Sequence, residues 1–359
     1  MYQSDLAAKI LGLAASVMLM LCLAPELSSA STPLPIQEVI GGVDGNRIMT
    51  TISDLEAFGT RAFYLNQSED AATYVFDRFS QLGLEVEYQD FMAGTHESRN
   101  VVATQRGSLD SEVQFLVGAH YDSENMMATS LLEGESLAAP GADDDASGVA
   151  AMIEIATVLS GLELNYSVKF VAFGAEEAGY DQSGGIKGSR HFVESEVSKE
   201  ATYAGTAILD MIGYRGSAEN HGILIVNEHN SLASATLSAA SLYDLSISLS
   251  IMIDPSAAYS DHYSFWTAGY PSMLVSEALS ETGSPYEFNP NYHTQDDTID
   301  KLSAEQMTVI SKALLGGVLT LSGLASPESD SGIVVILVLV FLCALIAVAV
   351  AFYILKVKK

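Results

Sequence analysis

The sequence predicts an α/β fold in which a mostly parallel central sheet carries helices on both faces. Three observations lead there. Short apolar runs such as "VQFLVGAH", "VKFVAFGAEE", "TAILDMIG" and "GILIVN" have strand length and little alternation, as in strands buried on both sides. Stretches with helical character, "ASGVAAMIEIATVLSGL" and "SLASATLSAASLY", separate several of them. The runs also end in ionisable residues: His120 and Asp122, Glu176 and Glu177, and Asp210. Sites in parallel sheets form beyond the carboxyl ends of the strands.

The elements follow in chain order. Residues 1–30 read as a secretory signal: Lys9, an apolar run over 10–24, and the small residues Ser28, Ser29 and Ala30 before a cleavage point. The folded domain is expected over 31–325. "SEDAATYVFDRFSQLG" reads as a helix capped by Ser68 and stopped by Gly83. "LEVEYQDF" and "NVVATQ" read as strands, and Ser303 with Gln306 forms a capping-box pattern opening a last helix. Residues 326–331 read as a short stalk. The uncharged run over 332–355 is long enough to cross a bilayer as a transmembrane helix. Lys356, Lys358 and Lys359 then place a tail at 356–359 in the cytoplasm. The expected location is the cell membrane, single-pass, with the domain outside and lipid contacted through the C-terminal helix.

Charge and cysteine content narrow the class. There are 45 acidic residues against 16 basic ones, a net charge of −29. Nucleic acid is a poor partner for such a chain, because phosphate binding needs a basic face. The acidity is spread along the sequence and reads as a solvated surface. The only cysteines, Cys22 and Cys343, lie in the terminal apolar segments, so the domain is expected to fold without disulfides, on its core alone.

"PGADDDASGVA", residues 140–150, sets three aspartates side by side before a helix. Capping accounts for one or two of them, and the ligand spacing of a calcium loop is missing. His120, Glu176, Glu177 and Asp210 stand at strand ends, and His293 follows in the turn-rich "NPNYHTQDDTIDKL". Ionisable groups converging on one sheet edge are costly to desolvate unless a cation joins them. Imidazole and carboxylate donors without thiolate suit zinc, with manganese or cobalt as substitutes. The carboxylates exceed what one catalytic zinc uses, so two metals sharing a bridging carboxylate fit better.

In this order, "AHYDS", "PGADDDASGVAA", "AFGAEEAG", "LDMIGY" and "YHTQDDT" resemble the secreted co-catalytic zinc aminopeptidases of the leucyl aminopeptidase type. That family also holds glutamate carboxypeptidase and glutaminyl cyclase relatives. The resemblance covers about residues 40 to 325 and implies the zinc exopeptidase fold. It implies that His120 and Asp210 bind one zinc, that Glu177 and His293 bind the other, and that Asp144 bridges the two. Glu176 resembles the general base, and Asp122 the carboxylate that orients His120. Asp261, His262 and Tyr259 are candidates for supporting the donors from behind. The sequence departs from the pattern in two places. "YDQSGGIKGSRHF" is longer than the corresponding loop, and the tyrosine that assists the oxyanion has no counterpart in register, Tyr259 being offset by two positions. His96, His191, His221 and His229 match no motif and read as surface or loop residues.

The resemblance implies hydrolysis of N-terminal residues from peptide substrates. A carboxypeptidase would need a cation for the substrate carboxylate, for which Arg190 and Arg215 are candidates. A glutaminyl cyclase usually binds one zinc, and a non-catalytic receptor ectodomain loses donors. The complete donor set argues against both.

Overall fold

One eight-stranded sheet organises the chain, in the order β1-β2-β4-β3-β5-β8-β6-β7. The strands are β1 (Glu85–Ala93), β2 (His96–Gln105), β3 (Val113–His120), β4 (Ser167–Phe173), β5 (Thr202–Leu209), β6 (His221–Val226), β7 (Ser248–Ile253) and β8 (Ser272–Glu277). The computed structural model describes residues 35–325 except 110–111, 129, 131–132, 134–135, 178–184, 217–218 and 279–288. The signal, stalk, transmembrane and tail expectations at 1–30, 326–331, 332–355 and 356–359 therefore lie outside the described residues. Among those described, no helix is long and apolar enough to cross a membrane.

The sheet is mostly parallel, as expected, with antiparallel pairs among its strands. β4, β3, β5 and β8 run parallel, as do β6 and β7. The β1–β2, β2–β4 and β8–β6 pairs are antiparallel. A tight turn at Gly94 and Thr95 joins β1 to β2, and a connection that short permits only an antiparallel hairpin. β7 and β8 had no counterpart among the expected strands. β7 is short, and its pattern of exposed and half-buried residues carries little apolar signal.

Successive side chains of β3 show why both faces are covered. Phe115, Val117 and Ala119 join one apolar cluster and Leu116 the other, following the period of two along a strand. The larger cluster is closed by α1 (Ile36–Gly41), α2 (Gly45–Glu56), α3 (Asn66–Gln81), α4 (Ala146–Leu159), α6 (Ser231–Leu242) and α8 (Ala304–Ser322). The smaller is closed by α5 (Lys187–Ser198) and α7 (His262–Thr267).

Helix starts show which local signals held. The Ser303 side chain accepts from the Gln306 N–H, while the Gln306 amide turns away to the Tyr214 carbonyl, so only half of the expected box forms. Ser68 does not cap α3. The helix begins at Asn66, and Ser68 shares its buried stripe with Ala71, Ala72, Val75 and Phe79. That spacing draws Ser68 inside the helix, away from its end. His221 is buried at the start of β6, so it is neither a surface nor a loop residue. α4 is buried along nearly its whole length, and its Glu154 takes a two-toothed ion pair from Arg47 of α2, at 2.6 and 2.9 Å.

Candidate metal centre

The carboxyl ends of β3, β4 and β5 deliver His120 with Asp122, Glu176 with Glu177, and Asp210 to one side of the sheet. The start of α4 adds Asp143, Asp144 and Asp145, and the loop before the 3₁₀ turn Ile299–Lys301 adds His293. The backbone is unusual at these points. Ala175, Met211 and His293 adopt left-handed conformations, each with φ of 54°. Such conformations in non-glycine residues cost roughly 1–3 kcal/mol and gather where function demands a particular aim.

The three neighbouring aspartates divide the work. Asp145 caps α4 by accepting from the Gly148 N–H at 2.9 Å, and it also accepts the main-chain N–H groups of His120 and Met211. Asp143 accepts from the Gly213 N–H and the Asn289 amide, each at 2.8 Å. Asp144 alone faces the two imidazoles. Its Oδ1 lies 3.1 Å from Nε2 of His120 and its Oδ2 lies 3.0 Å from Nε2 of His293.

Around Asp144 the other donors fall into place. Nε2 of His120 is 3.7 Å from Asp210 Oδ1, and Nε2 of His293 is 2.8 Å from Glu177 Oε1. Glu176 and Glu177 both bring a carboxylate oxygen within 4.8 Å of His120. Asp122 sits beneath: its oxygens accept the N–H groups of Glu176 and Glu177, each at 3.1 Å. Nδ1 of His120 lies 3.2 Å from the Asp122 carbonyl and 3.6 Å from its carboxylate.

This crowding shapes the acidities. Burial alone would lower His293, but Glu177 and Asp144 push it up to about 11. His120 likewise is raised well above its usual value, burial being outweighed by Asp122, Asp144 and Asp210. Burial opposes the charge on Asp144, yet the two imidazoles hold it far below the usual carboxylate range. Glu176 and Glu177 are raised by burial and by neighbouring carboxylates. The cluster thus demands positive charge at its centre.

The donors fit divalent metal. His120, Asp144 and Asp210 bring one ligand atom each within 4.8 Å of one another, and so do Glu124, Glu177 and His293. Asp144 Oδ2 is buried and has no hydrogen-bond partner, although an imidazole nitrogen lies 3.0 Å away. A carboxylate oxygen and an imidazole nitrogen brought this close both have lone pairs to offer once the ring is neutral, which suits ligation of a shared cation. A cavity of about 90 Å³ opens onto these groups, lined also by Met211, Leu274, Ser276, Tyr259 and Tyr292.

The remaining sequence candidates are placed as follows. Asp261 is fully buried with neither carboxyl oxygen hydrogen-bonded, and burial with the charges of Asp122 and Asp210 raises it to about 7. His262 bonds the Ala257 carbonyl at 3.0 Å and stands edge-on to Trp266, which fits packing, and burial lowers it to about 4. Tyr259 is 44% exposed at the cavity mouth. Part of the longer "YDQSGGIKGSRHF" loop lies outside the described residues, and its end forms the start of α5.

Other contributors were not singled out from the sequence. Asp297 accepts the N–H groups of Asp143 and Asp144, at 2.9 and 3.1 Å, and burial and Asp143 raise it to about 8. Glu124 lies 3.7 Å from Nδ1 of His293, and Tyr292 stacks on the His293 ring at 3.7 Å. Asp297 and Tyr292 stand inside "YHTQDDT", and Glu124 lies two residues past Asp122, so proximity to the motifs was the available signal.

Residues 100–318 match the model of peptidase family M28. The chain belongs to that family. This M28 metallopeptidase is 27% identical over 301 residues to leucine aminopeptidase 1 of Fusarium vanettenii, covering 78% of this chain and 71% of the relative. Its fold is similar to that of the Legionella pneumophila LapA aminopeptidase, with a TM-score of 0.67 and 21% identity over 80% of this chain and 74% of the other. It is also similar to Fimbriiglobus ruber glutaminyl cyclase, with a TM-score of 0.62 and 22% identity over 77% and 95% of the two chains. Neither Arg190 nor Arg215 lines the cavity of the M28 chain, and Arg215 is paired with Glu305.

Proposed function

We propose that this M28 chain is a di-zinc aminopeptidase that removes N-terminal residues from peptides. The observation that carries the reading is Asp144, with one carboxylate oxygen toward each imidazole. His120 and Asp210 would hold one zinc, Glu177 and His293 the other, and Asp144 both. Bound zinc supplies Lewis acidity to the scissile carbonyl and to the attacking water.

The chain's own residues supply the rest. Glu176 takes a proton from the water as its oxygen attacks the carbonyl carbon, and returns it to the amine nitrogen as the C–N bond breaks. A carboxyl raised by burial is a better base near neutral pH than an ordinary one. Asp122 fixes the main chain of both glutamates and backs the His120 ring. A free substrate amine, being cationic, suits a cavity walled by carboxylates. With no arginine or lysine in that wall among the described residues, a substrate carboxylate finds no partner there.

The sequence pattern over 1–30, read as a secretory signal, and the apolar run over 332–355, read as a membrane span, would make this enzyme exported and tethered to the cell membrane, facing outside. The test of function is hydrolysis of aminoacyl substrates with free and acetylated amines. Cleavage confined to free amines is expected; efficient release of C-terminal residues from N-acetylated peptides would replace the reading with a carboxypeptidase.

A further inference from the structure

Arg61, between α2 and α3, is among the largest fully buried side chains of the molecule, with 0% exposure. Arginine is almost never fully buried without strong partners. Here the partners are main-chain carbonyls. Nε donates to the Tyr121 carbonyl at 2.8 Å, Nη1 to the Pro140 carbonyl at 2.5 Å, and Nη2 to the Gly141 carbonyl at 2.8 Å. Tyr121 stands between His120 and Asp122, while Pro140 and Gly141 lead into Asp143, Asp144 and Asp145. One planar fork therefore spans the two loops that carry His120 and Asp144, the pair at the heart of the donor set.

The surroundings reinforce the clasp. Ser123 accepts the Arg61 N–H at 3.0 Å and donates to the Ala139 carbonyl at 2.8 Å, tying the same two loops a second time. Gly141 has φ of +55°, and a Cβ there would lie 2.4 Å from the Asp144 carbonyl and 2.9 Å from the guanidinium. The loop is pressed against Arg61 with no room for a side chain.

We propose that Arg61 is a positioning residue for the metal centre: by clasping the 120–123 and 139–141 loops through their carbonyls, it holds His120 and Asp144 at the separation a shared metal requires. The inference rests on the metallopeptidase reading above. A rival role is that of a plain counter-charge, since Asp297, Asp122, Asp144 and Asp145 all bear on the guanidinium. The two roles make opposite demands. A counter-charge repels an incoming cation, so only its charge would matter; a clasp needs the fork. Lysine keeps the charge and lacks the fork.

The experiment measures zinc affinity by chelator competition, melting temperature and the kcat/KM split for the purified full-length chain. The variants are Arg61→Lys, Ser123→Ala and, as a control for plain loss of stability, Ile52→Val in the apolar cluster on α2. Supporting shells around metal ligands are typically worth about 10–100-fold in affinity. Arg61→Lys is expected to lose zinc affinity by at least about tenfold and to lower kcat more than it raises KM. Ser123→Ala should lose affinity in the same direction by a smaller factor, and Ile52→Val should melt earlier with unchanged affinity. Zinc affinity within about twofold of wild type in Arg61→Lys, whatever its melting temperature, overturns the proposal. Should Arg61→Lys not fold, unchanged affinity in Ser123→Ala does so. A wild-type chain that binds no zinc would instead defeat the metallopeptidase reading itself.

Discussion

Glu176 and Glu177 are neighbours in sequence, both almost fully buried, yet the structure gives them different surroundings. Glu177 Oε1 is 2.8 Å from Nε2 of His293, the ring that Asp144 Oδ2 also approaches. Glu176 faces His120 across the cavity with no such partner at His293. Glu176→Gln is nearly isosteric and leaves the Asp122 contact to its main-chain N–H intact. It removes only the capacity to take a proton. Turnover should fall by about 10²–10⁴-fold, a barrier rise of about 3–5 kcal/mol, with both metals retained. Glu177→Gln removes a charge from the His293 side, so zinc there should weaken by about 100-fold or more. The assay is zinc content and kcat for both variants at saturating metal. If Glu176→Gln sheds metal while Glu177→Gln keeps both ions and loses turnover, the roles are exchanged and the reasoning fails.

Further outcomes follow from the same geometry. Burial holds His262 at about 4, below its unfolded value of roughly 6.5, so the folded state binds fewer protons between these values. Its stabilising contribution is complete above about pH 6.5 and is lost as pH falls toward 4, up to about 3 kcal/mol. His262→Gln should flatten denaturant-unfolding stability over that window, and an unchanged wild-type slope would show the titration to be elsewhere. Asp145→Asn weakens three main-chain hydrogen bonds at the start of α4 and should cost about 1–3 kcal/mol by the same measurement. Glu154→Gln should cost a similar amount by weakening the Arg47 pair that docks α2 on α4; a variant as stable as wild type would make that pair incidental.

Much of this was legible because the donors stand where strand patterns end. The β3 run finishes on His120, the β5 run is followed by Asp210, and the alternation of runs and helices already implied a sheet covered on both faces. The aspartate triplet raised the question of crowding but not its division. Which carboxylate caps, which braces the 213 loop and which faces the imidazoles depends on where α4 enters beneath the sheet. The antiparallel junctions were hidden for a different reason. β8 is short and was not among the expected strands, and the β2–β4 and β8–β6 pairings are settled by long-range packing. Arg61 gave no signal at all: only the fold reveals carbonyls converging on it from two distant loops. His221 was lost similarly, because a lone polar residue at a strand start does not announce its own burial.

The central claim is a shared-carboxylate site for two metals, and it is tested most directly by stoichiometry. The chelator-stripped full-length chain would be titrated with zinc while bound metal and hydrolysis of a free-amine substrate are followed together. Close to two zinc ions per chain, with full activity restored only as the second binds, is the predicted result. Full activity with a single zinc, or with none, would contradict it.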